Sequence, residues 1–105
     1  MEFQIDDPDL IELYTSGKSR KYKVSDLIAR TFAHRIQQLN AAKDIDDLHK
    51  IGSLQFKLSN KRNGTDEYTI DVDSGYSLTL FITKNTKHSS THTVIIKELS
   101  RSSQN

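Results

Sequence analysis

The sequence predicts an α+β domain, with N-terminal helices packed on one face of a small, mostly antiparallel sheet of four or five strands. Apolar residues recur with a period near 3.6 before Gly52 and near 2 after it. Helices that precede strands in this way favour an antiparallel sheet covered on one side. The 105 residues show no internal repeat and no linker, so we interpret residues 1–105 as one domain.

The chain is expected to begin with a short strand and a short helix. Phe3 and Ile5 alternate with polar residues, which predicts the strand. Asp7 and Pro8 are typical of a helix start, as the N-cap and the first helical residue. Gly17 follows residues with helical spacing and is suited to end the helix.

The longest helix is predicted around residues 25–42. Its N-cap is Ser25, and its apolar stripe is Ile28, Phe32, Ile36 and Leu39. A short helical turn is expected at residues 44–48, with the break at Gly52. An amphipathic helix of this length is suited to cover one face of a sheet.

Four strands are predicted after Gly52, at residues 53–59, 66–73, 76–83 and 93–99. In the first, Leu54, Phe56 and Leu58 are the expected core residues, which directs Lys57 to the opposite face. Turns are expected at residues 60–64 and 73–75, and a polar loop at residues 84–92. The tail from Ser100 to Asn105 is expected to be frayed.

Composition narrows the class of protein. Hydrophobic residues make up 34% of the chain and charged residues 28%, and the apolar residues fall into periodic segments, which is typical of a folded domain. There is no cysteine, which excludes disulfides and thiolate metal sites. The acidic N-terminus does not resemble a signal peptide, and no apolar run approaches the length of a membrane span. We therefore expect a cytoplasmic protein that does not bind membranes.

Charge is unevenly distributed, although the formal net charge is only +1. Residues 1–16 carry five acids and no base, whereas residues 17–35 carry six bases and one acid. Residues 66–73 are acidic again. This alternation favours either one basic face that binds a polyanion or charges that solvate separate surfaces. The connector residues Lys18, Arg20, Lys21 and Lys23 are expected at the surface, available to RNA or to an acidic partner.

A second basic cluster consists of Lys57, Lys61 and Arg62. On an uncovered sheet face, these cations would hold a phosphate and stabilise the charge that develops when a 2′-hydroxyl attacks it. We expect Tyr76 or Ser77 to lie nearby on the adjacent strands. The alternative is that lysines on an exposed strand only keep it soluble and blunt its edge.

No metal or cofactor site is predicted. His88 and His92 are four residues apart in a polar segment, but no further ligands accompany them. The sequence also contains no nucleotide-binding loop and no Ser-His-Asp pattern. If the protein is an enzyme, it is expected to be metal-independent.

Several stretches together resemble the HigB branch of the RelE/ParE bacterial toxins. They cover nearly the whole chain, and their order and spacing match although no single motif is specific. The stretches are Leu13–Ser19, the helix with Phe32, Arg35, Ile36, Leu39 and Ala42 followed by Asp44–Leu48, the strands with Phe56–Leu58, Lys61–Gly64, Tyr68–Val72 and Gly75–Leu78, and the final strand Val94–Leu99.

The resemblance implies a RelE-like fold and a toxin that enters the ribosomal A site and cuts messenger RNA there. It also implies an antitoxin partner, commonly a helix-turn-helix protein of the HigA type. Lys57, Lys61 and Arg62 fall where the family places basic residues on its concave face, and we assign them the catalytic role. To RNA binding we assign the four connector cations together with Tyr76 and Ser77.

The chain also departs from the family at expected site positions. Family members usually have arginine where this chain has Ser77, and often arginine where it has Asp71. Many end the last strand with a His-Tyr or Tyr-His pair, where this chain has Ser100-Arg101-Ser102. Loss of an arginine that contacts the scissile phosphate lowers the cleavage rate by about a hundredfold or more. We therefore expect weak or absent cleavage, with a non-cutting protein that binds an antitoxin-like partner or RNA, or a ParE-like gyrase inhibitor, as the alternatives.

Overall fold

The computed structural model describes residues 1–61, 65–73, 75–84 and 92–101. These residues form three α-helices and a five-stranded mixed sheet, which confirms the α+β class. The sheet order is β1-β5-β4-β3-β2, with β1 parallel to β5 and the other pairs antiparallel. The elements are β1 (Glu2–Ile5), α1 (Pro8–Ser16), α2 (Asp26–Ala41), α3 (Ile45–Lys50), a 3₁₀ turn (Gly52–Leu54), β2 (Lys57–Asn60), β3 (Thr65–Asp73), β4 (Tyr76–Lys84) and β5 (His92–Arg101).

Helix α1 begins and ends where the sequence predicts. The side chain of Asp7 accepts a hydrogen bond from the backbone N–H of Asp9 at 2.9 Å, and Pro8 is the first helical residue. Gly17 has a φ of 79° and donates its N–H to the carbonyl of Leu13 at 2.9 Å. A left-handed residue with this bond is the common αL end of a helix, and glycine adopts it without strain.

Helix α2 covers the sheet with its apolar stripe. The Ser25 side chain caps its start by accepting from the N–H of Ile28 at 3.2 Å. Helix α3 is capped in the same way by Asp44, which accepts from the N–H of Asp47 at 3.0 Å. The four residues of the predicted stripe, Ile28, Phe32, Ile36 and Leu39, are all buried. Ala29 is buried beside them.

Strands β3 and β4 form the predicted antiparallel hairpin, paired from Thr65↔Thr83 to Asp73↔Tyr76. Alternate residues of both strands are buried against the helices, namely Tyr68, Ile70, Val72, Leu78, Leu80 and Ile82. Because side chains alternate between the two faces of a sheet, the intervening residues lie on the other face. The helix-covered face therefore carries the core, and the opposite face, which we call the open face, lies away from it.

The predicted strand at residues 53–59 is wrong in its first half. Residues Gly52–Leu54 form a 3₁₀ turn, and Gln55 then adopts a left-handed φ of 50°, so the strand starts only at Lys57. Leu54 and Phe56 are buried as expected, but from the turn and the bend rather than from a strand. Leu58 is 48% exposed, because β2 is a short strand at the edge of the sheet with no further element beside it in the described part of the chain.

The C-terminal end of the sheet is longer than expected. Ser100 and Arg101, predicted to be frayed, belong to β5 and pair with Ser77 and Tyr76. Lys84 and His92, predicted as loop ends, pair with each other at the far end of the same two strands. The remaining predictions for turns and tail concern residues 62–64, 74, 85–91 and 102–105, which lie outside the described residues.

Arg35 of α2 fastens the helix to the irregular end of β3. Its Nε donates to the carbonyl of Asp71 at 3.0 Å and one terminal nitrogen to the carbonyl of Val72 at 3.2 Å. The other terminal nitrogen donates to the side chain of Gln38 at 3.0 Å. The β3–β4 register shifts between Asp71 and Asp73, so Arg35 supplies donors to carbonyls at this irregularity.

We expect Arg35→Ala to lower the free energy of unfolding by about 1–3 kcal/mol, because it leaves two strand carbonyls without their donors. Urea denaturation followed by circular dichroism measures the change. His34→Ala, at an exposed neighbouring position of α2, is the matched control and should stay within about 0.5 kcal/mol of the unsubstituted protein. Equal stability of both variants would show that the Arg35 contacts contribute nothing.

Candidate functional site

The open face is the only broad surface of β3 and β4 that helices leave uncovered in the described chain. It carries hydroxyl, charged and aromatic side chains in cross-strand rows. One row joins Lys57, Thr69, Thr79 and Glu98, the next joins Glu67 and Phe81, and a third joins Asp71, Ser77 and Ser100. A face of this composition offers both charges and hydrogen-bonding groups to a ligand.

The structure places Lys57 on the open face, as its position between Phe56 and Leu58 predicts. It pairs with Thr69, which lies between the buried Tyr68 and Ile70, and its side chain is exposed. Lys61 is also exposed, one residue beyond the end of β2. Arg62 lies outside the described residues, so the convergence of all three cations stays a prediction.

Ser77 and Tyr76 occupy different environments. Ser77 lies on the open face but on β4, two strands from Lys57, which corresponds to about 10 Å between strand axes. Tyr76 is half-buried and packs against the core, with the guanidinium carbon of Arg101 5.8 Å from its ring centroid. Of these two, Ser77 shares the open face with Lys57.

The open face carries carboxylates that the sequence reading did not assign to it. Glu67 lies next to Phe81, and one of its oxygens accepts a hydrogen bond from Ser59 Oγ at 2.9 Å. Asp71 is exposed and stands directly opposite Ser77. The two-residue period of β3 would have placed both acids beside Lys57, because Glu67, Thr69 and Asp71 share one face. These acids reduce the positive potential at Lys57.

The connector between α1 and α2 is basic and exposed, as predicted: Lys18, Arg20, Lys21 and Lys23 all lie at the surface. Tyr22 anchors it. The Tyr22 hydroxyl donates to Asp7 Oδ2 at 2.9 Å, and Lys21 Nζ lies 3.6 Å from the same oxygen. These contacts tie the connector to the start of α1 and hold it beside the open face.

The same contacts perturb both titrating groups. Burial raises the pKa of Tyr22 well above its usual value, and the neighbouring Asp7 carboxylate raises it further. For Asp7, burial acts to raise the pKa, but the hydrogen bonds from Tyr22 and from the Asp9 N–H, together with Lys21, outweigh it and lower the pKa. The lowered pKa means that the folded state favours the ionised carboxylate.

We expect Tyr22→Phe to lower the free energy of unfolding by about 1 kcal/mol at neutral pH, because Asp7 loses a hydrogen-bond donor. Since the folded pKa of Asp7 is depressed, its contribution is present above the unfolded value of 3.8 and is lost as the pH falls through the folded pKa. The difference between the two proteins should therefore shrink below that pH. Urea denaturation from pH 3 to pH 7 measures it.

Tyr14→Phe is the control for this series, because the Tyr14 hydroxyl forms no hydrogen bond within the described residues. Its ring packs edge-on against Phe3 and Phe32, and phenylalanine preserves those contacts. A Tyr22→Phe penalty that matches the control, or that does not change with pH, would contradict the proposed role of the Tyr22–Asp7 bond.

A cleft of about 340 Å³ lies between the connector and the open face. Tyr22 and Lys21 form its connector side, Phe81 and Thr79 belong to β4, and Lys97 and Glu98 to β5. Lys97 Nζ is 2.6 Å from Asp6 Oδ2 and 5.2 Å from the centroid of the Phe81 ring. Sequence reading missed this cleft, because it depends on how the connector folds back over the sheet.

No cluster of three or more His, Cys, Asp or Glu side chains that would hold a metal ion occurs among the described residues. His88 lies outside those residues, and only the backbone of His92, at the start of β5, is described. Within the described ranges, no helix is long and apolar enough to cross a membrane. Comparison with protein-family models, curated proteins and solved structures finds no match to the chain.

Proposed function

We propose that this chain is the toxin component of a type II toxin–antitoxin pair, a RelE/HigB-type protein that cuts messenger RNA on the ribosome, with weakened activity. The observation that carries the proposal is the open face with Lys57 on it, opposite a face covered by helices. The order of elements along the chain, one strand, helices and then four strands, agrees with the RelE-like fold that the resemblance implies.

In this proposal, the open face holds the RNA backbone. The ribose 2′-oxygen attacks the adjacent phosphorus and loses its proton, while the 5′-oxygen leaves and gains one. Lys57 contacts the phosphate and stabilises the charge that develops on it, with Lys61 and Arg62 adding positive potential. No metal takes part. Lysine is a poor base at neutral pH, which is one reason why we expect slow cleavage.

Two partners belong to the proposal. The exposed cations of the connector, all within one short segment, suit a contact with ribosomal RNA or with an acidic protein surface. The second partner is a cognate antitoxin, of the helix-turn-helix class, that would neutralise the protein. Both are carried over from the resemblance rather than from contacts in the structure.

A second candidate function is binding without cleavage: a protein of the same type that binds a partner or RNA but does not cut it. The Asp71–Ser77 pair favours it, because these are the two positions where the resemblance leads to arginine. Here an acid faces a neutral residue on the surface where phosphate would bind. Removing cationic stabilisation from a scissile phosphate lowers the cleavage rate without abolishing the fold.

Induced expression in a bacterium tests the proposal, with growth and messenger RNA integrity as readouts. We expect slowed growth and cleaved messenger RNA with the unsubstituted chain, and less of both with Lys57→Ala. Lys43→Ala is the matched control, because Lys43 is exposed between α2 and α3 and outside the open face. Coexpression of a neighbouring gene for a helix-turn-helix protein should restore growth.

Three outcomes separate the alternatives. Growth arrest with intact messenger RNA and inhibited DNA supercoiling would identify a gyrase inhibitor. Normal growth with a purified complex between the two gene products would identify the non-cutting binder. Equal messenger RNA cleavage by all three proteins would remove Lys57 from the site.

A further inference from the structure

We propose that the cleft between the connector and the open face binds one nucleotide of single-stranded RNA and prefers a base that carries an exocyclic amino group. This inference rests on the proposed function, because it takes RNA as the ligand, and it adds a site for the base. Lys57 and the cleft lie on the same face of the sheet, since Thr79, which lines the cleft, belongs to the same cross-strand row as Lys57.

The size and walls of the cleft suit a base. Its volume of about 340 Å³ is sufficient for a nucleoside, and aromatic rings from two different elements, Tyr22 and Phe81, line it. Proteins that bind single-stranded RNA stack unpaired bases on aromatic side chains and bond to the base edges. Tyr22 is held in place by Asp7, so its position does not depend on a ligand.

The charges are divided between the inside and the rim of the cleft. Inside, Lys97 is paired with Asp6 at 2.6 Å, and Lys21 lies 3.6 Å from Asp7. Two more carboxylates line the cleft. Glu67 accepts a hydrogen bond from Ser59 Oγ at 2.9 Å, whereas Glu98 is exposed and its charge helps to raise the pKa of the Tyr22 hydroxyl. Of the two, Glu98 is the carboxylate that we assign to the ligand. The other connector cations, Lys18, Arg20 and Lys23, lie outside the cleft lining.

This division predicts how a nucleotide would lie. The phosphates would follow the connector cations, where positive charge is exposed, and the base would enter the cleft. The Glu98 carboxylate accepts hydrogen bonds and donates none, so it favours the exocyclic amino groups of adenine, cytosine and guanine. Uracil is disfavoured because its one edge donor, N3–H, lies between two carbonyl oxygens that the carboxylate repels. The Lys97 ammonium lies 5.2 Å from the centroid of the Phe81 ring and is bound to Asp6, so in this proposal the base packs beside that ammonium against the aromatic walls.

The test measures binding of purified protein to fluorescein-labelled hexamers of adenosine, cytidine or uridine, by fluorescence anisotropy. Each ribose carries a 2′-O-methyl group, so cleavage cannot occur. We expect the adenosine and cytidine hexamers to bind more tightly than the uridine hexamer. Phe81→Leu should weaken binding of all three by at least about fivefold. Phe3→Leu is the matched control, because Phe3 packs against the core on β1.

Glu98→Ala separates base recognition from simple charge. If Glu98 accepts from the base, its removal weakens binding of the adenosine and cytidine hexamers and abolishes their advantage over uridine. If Glu98 only adds negative charge, its removal tightens binding of all three equally, as Glu12→Ala on the exposed surface of α1 would, and the proposal is overturned. Circular dichroism establishes that each variant is folded.

Failure of this site is distinguishable from failure of the proposed function. Absent binding, or binding without base preference, alongside messenger RNA cleavage in cells would overturn the base site and leave the toxin proposal standing. Binding that depends on Phe81 and Glu98, without any cleavage in cells, would support the base site and overturn cleavage. A competition experiment adds an excess of an oligolysine peptide to the protein–RNA complex. If the peptide does not displace the RNA, the result further supports the site. If the peptide binds in the cleft in place of RNA, the proposal is overturned.

Discussion

Replacing Asp71 by serine and Ser77 by arginine together is expected to raise RNA cleavage by about a hundredfold. The two residues are directly opposite each other on the open face, in the cross-strand row next to the one that contains Lys57. An arginine at position 77 would place a second cation on the surface where, in the proposed function, Lys57 contacts the phosphate. A guanidinium binds two phosphate oxygens at once, which stabilises the developing charge more strongly than a single ammonium.

The two substitutions should not act additively. Opposed side chains in an antiparallel pair are about 5 Å apart at Cβ, so Asp71 would pair with an arginine introduced at position 77. Ser77→Arg alone is therefore expected to raise cleavage much less than the double substitution. Asp71→Ser alone should produce a small increase in cleavage, because it removes a negative charge from the surface proposed to bind RNA.

A ribosome-dependent cleavage assay with purified protein measures these effects, and Ser53→Arg is the control. Ser53 is exposed in the 3₁₀ turn, away from the open face, and adds the same charge elsewhere. An equal gain from Ser53→Arg would mean that net charge alone controls activity. Tighter RNA binding by the double variant without cleavage would favour the non-cutting candidate.

Phe32→Ala is expected to lower the free energy of unfolding by about 3–5 kcal/mol, the largest stability change that we predict. Phe32 is 0% exposed in the centre of α2. Its ring meets Tyr14 edge-on at 6.4 Å, and Tyr14 in turn meets Phe3 at 6.0 Å, so one aromatic chain joins α2, α1 and β1. Removing the first ring leaves a cavity at the junction of three elements.

Urea denaturation at neutral pH measures this loss, with Phe32→Leu expected to cost much less because leucine fills most of the space. Leu27→Ala is the exposed control on the same helix, since Leu27 is 52% exposed and should contribute little. A small domain has a total free energy of unfolding of about 5–15 kcal/mol, so the loss expected for Phe32→Ala is a large part of it. A loss below about 1 kcal/mol would contradict the packing described for α2.

The helices could be predicted from the sequence because their boundaries depend on local chemistry. Asp7, Ser25 and Asp44 each accept a hydrogen bond from a backbone N–H in the first turn that follows, and Gly17 supplies a left-handed end. The β3–β4 hairpin was equally predictable, because two segments of alternating apolar residues flank one tight turn signal in the sequence. None of these features requires information about distant residues.

The start of strand β2 was harder to predict, because an alternating pattern does not distinguish a strand from a turn that buries every second residue. Leu54 and Phe56 fit the strand pattern, yet the left-handed Gln55 between them interrupts it. The exposure of Leu58 depends on β2 being at the edge, which is a property of the whole sheet. Asp66 depends on the whole sheet in a similar way: the alternation of β3 places it on the covered face with Tyr68, but its exposure of only 4% follows from the packing around it.

The candidate site was predictable only in part. The orientation of Lys57 followed from its neighbours in the sequence, whereas the residues that surround it on the open face could not be predicted in this way. The pairing of Asp71 with Ser77, and that of Lys97 with Asp6, depend on register and on contacts between residues far apart in the sequence. The cleft beside Phe81 arises from the Tyr22–Asp7 bond, which fixes the connector against the sheet.

The most direct test of the central claim adds the purified chain to translating ribosomes and maps the 5′ ends of the messenger RNA by primer extension. We predict new ends within codons at the ribosomal A site, appearing slowly and only when ribosomes are present, and fewer of them with Lys57→Ala than with Lys43→Ala. Messenger RNA that stays intact at high protein concentration, or that is cut equally by Lys57→Ala, would contradict the claim that the open face of this sheet cleaves RNA.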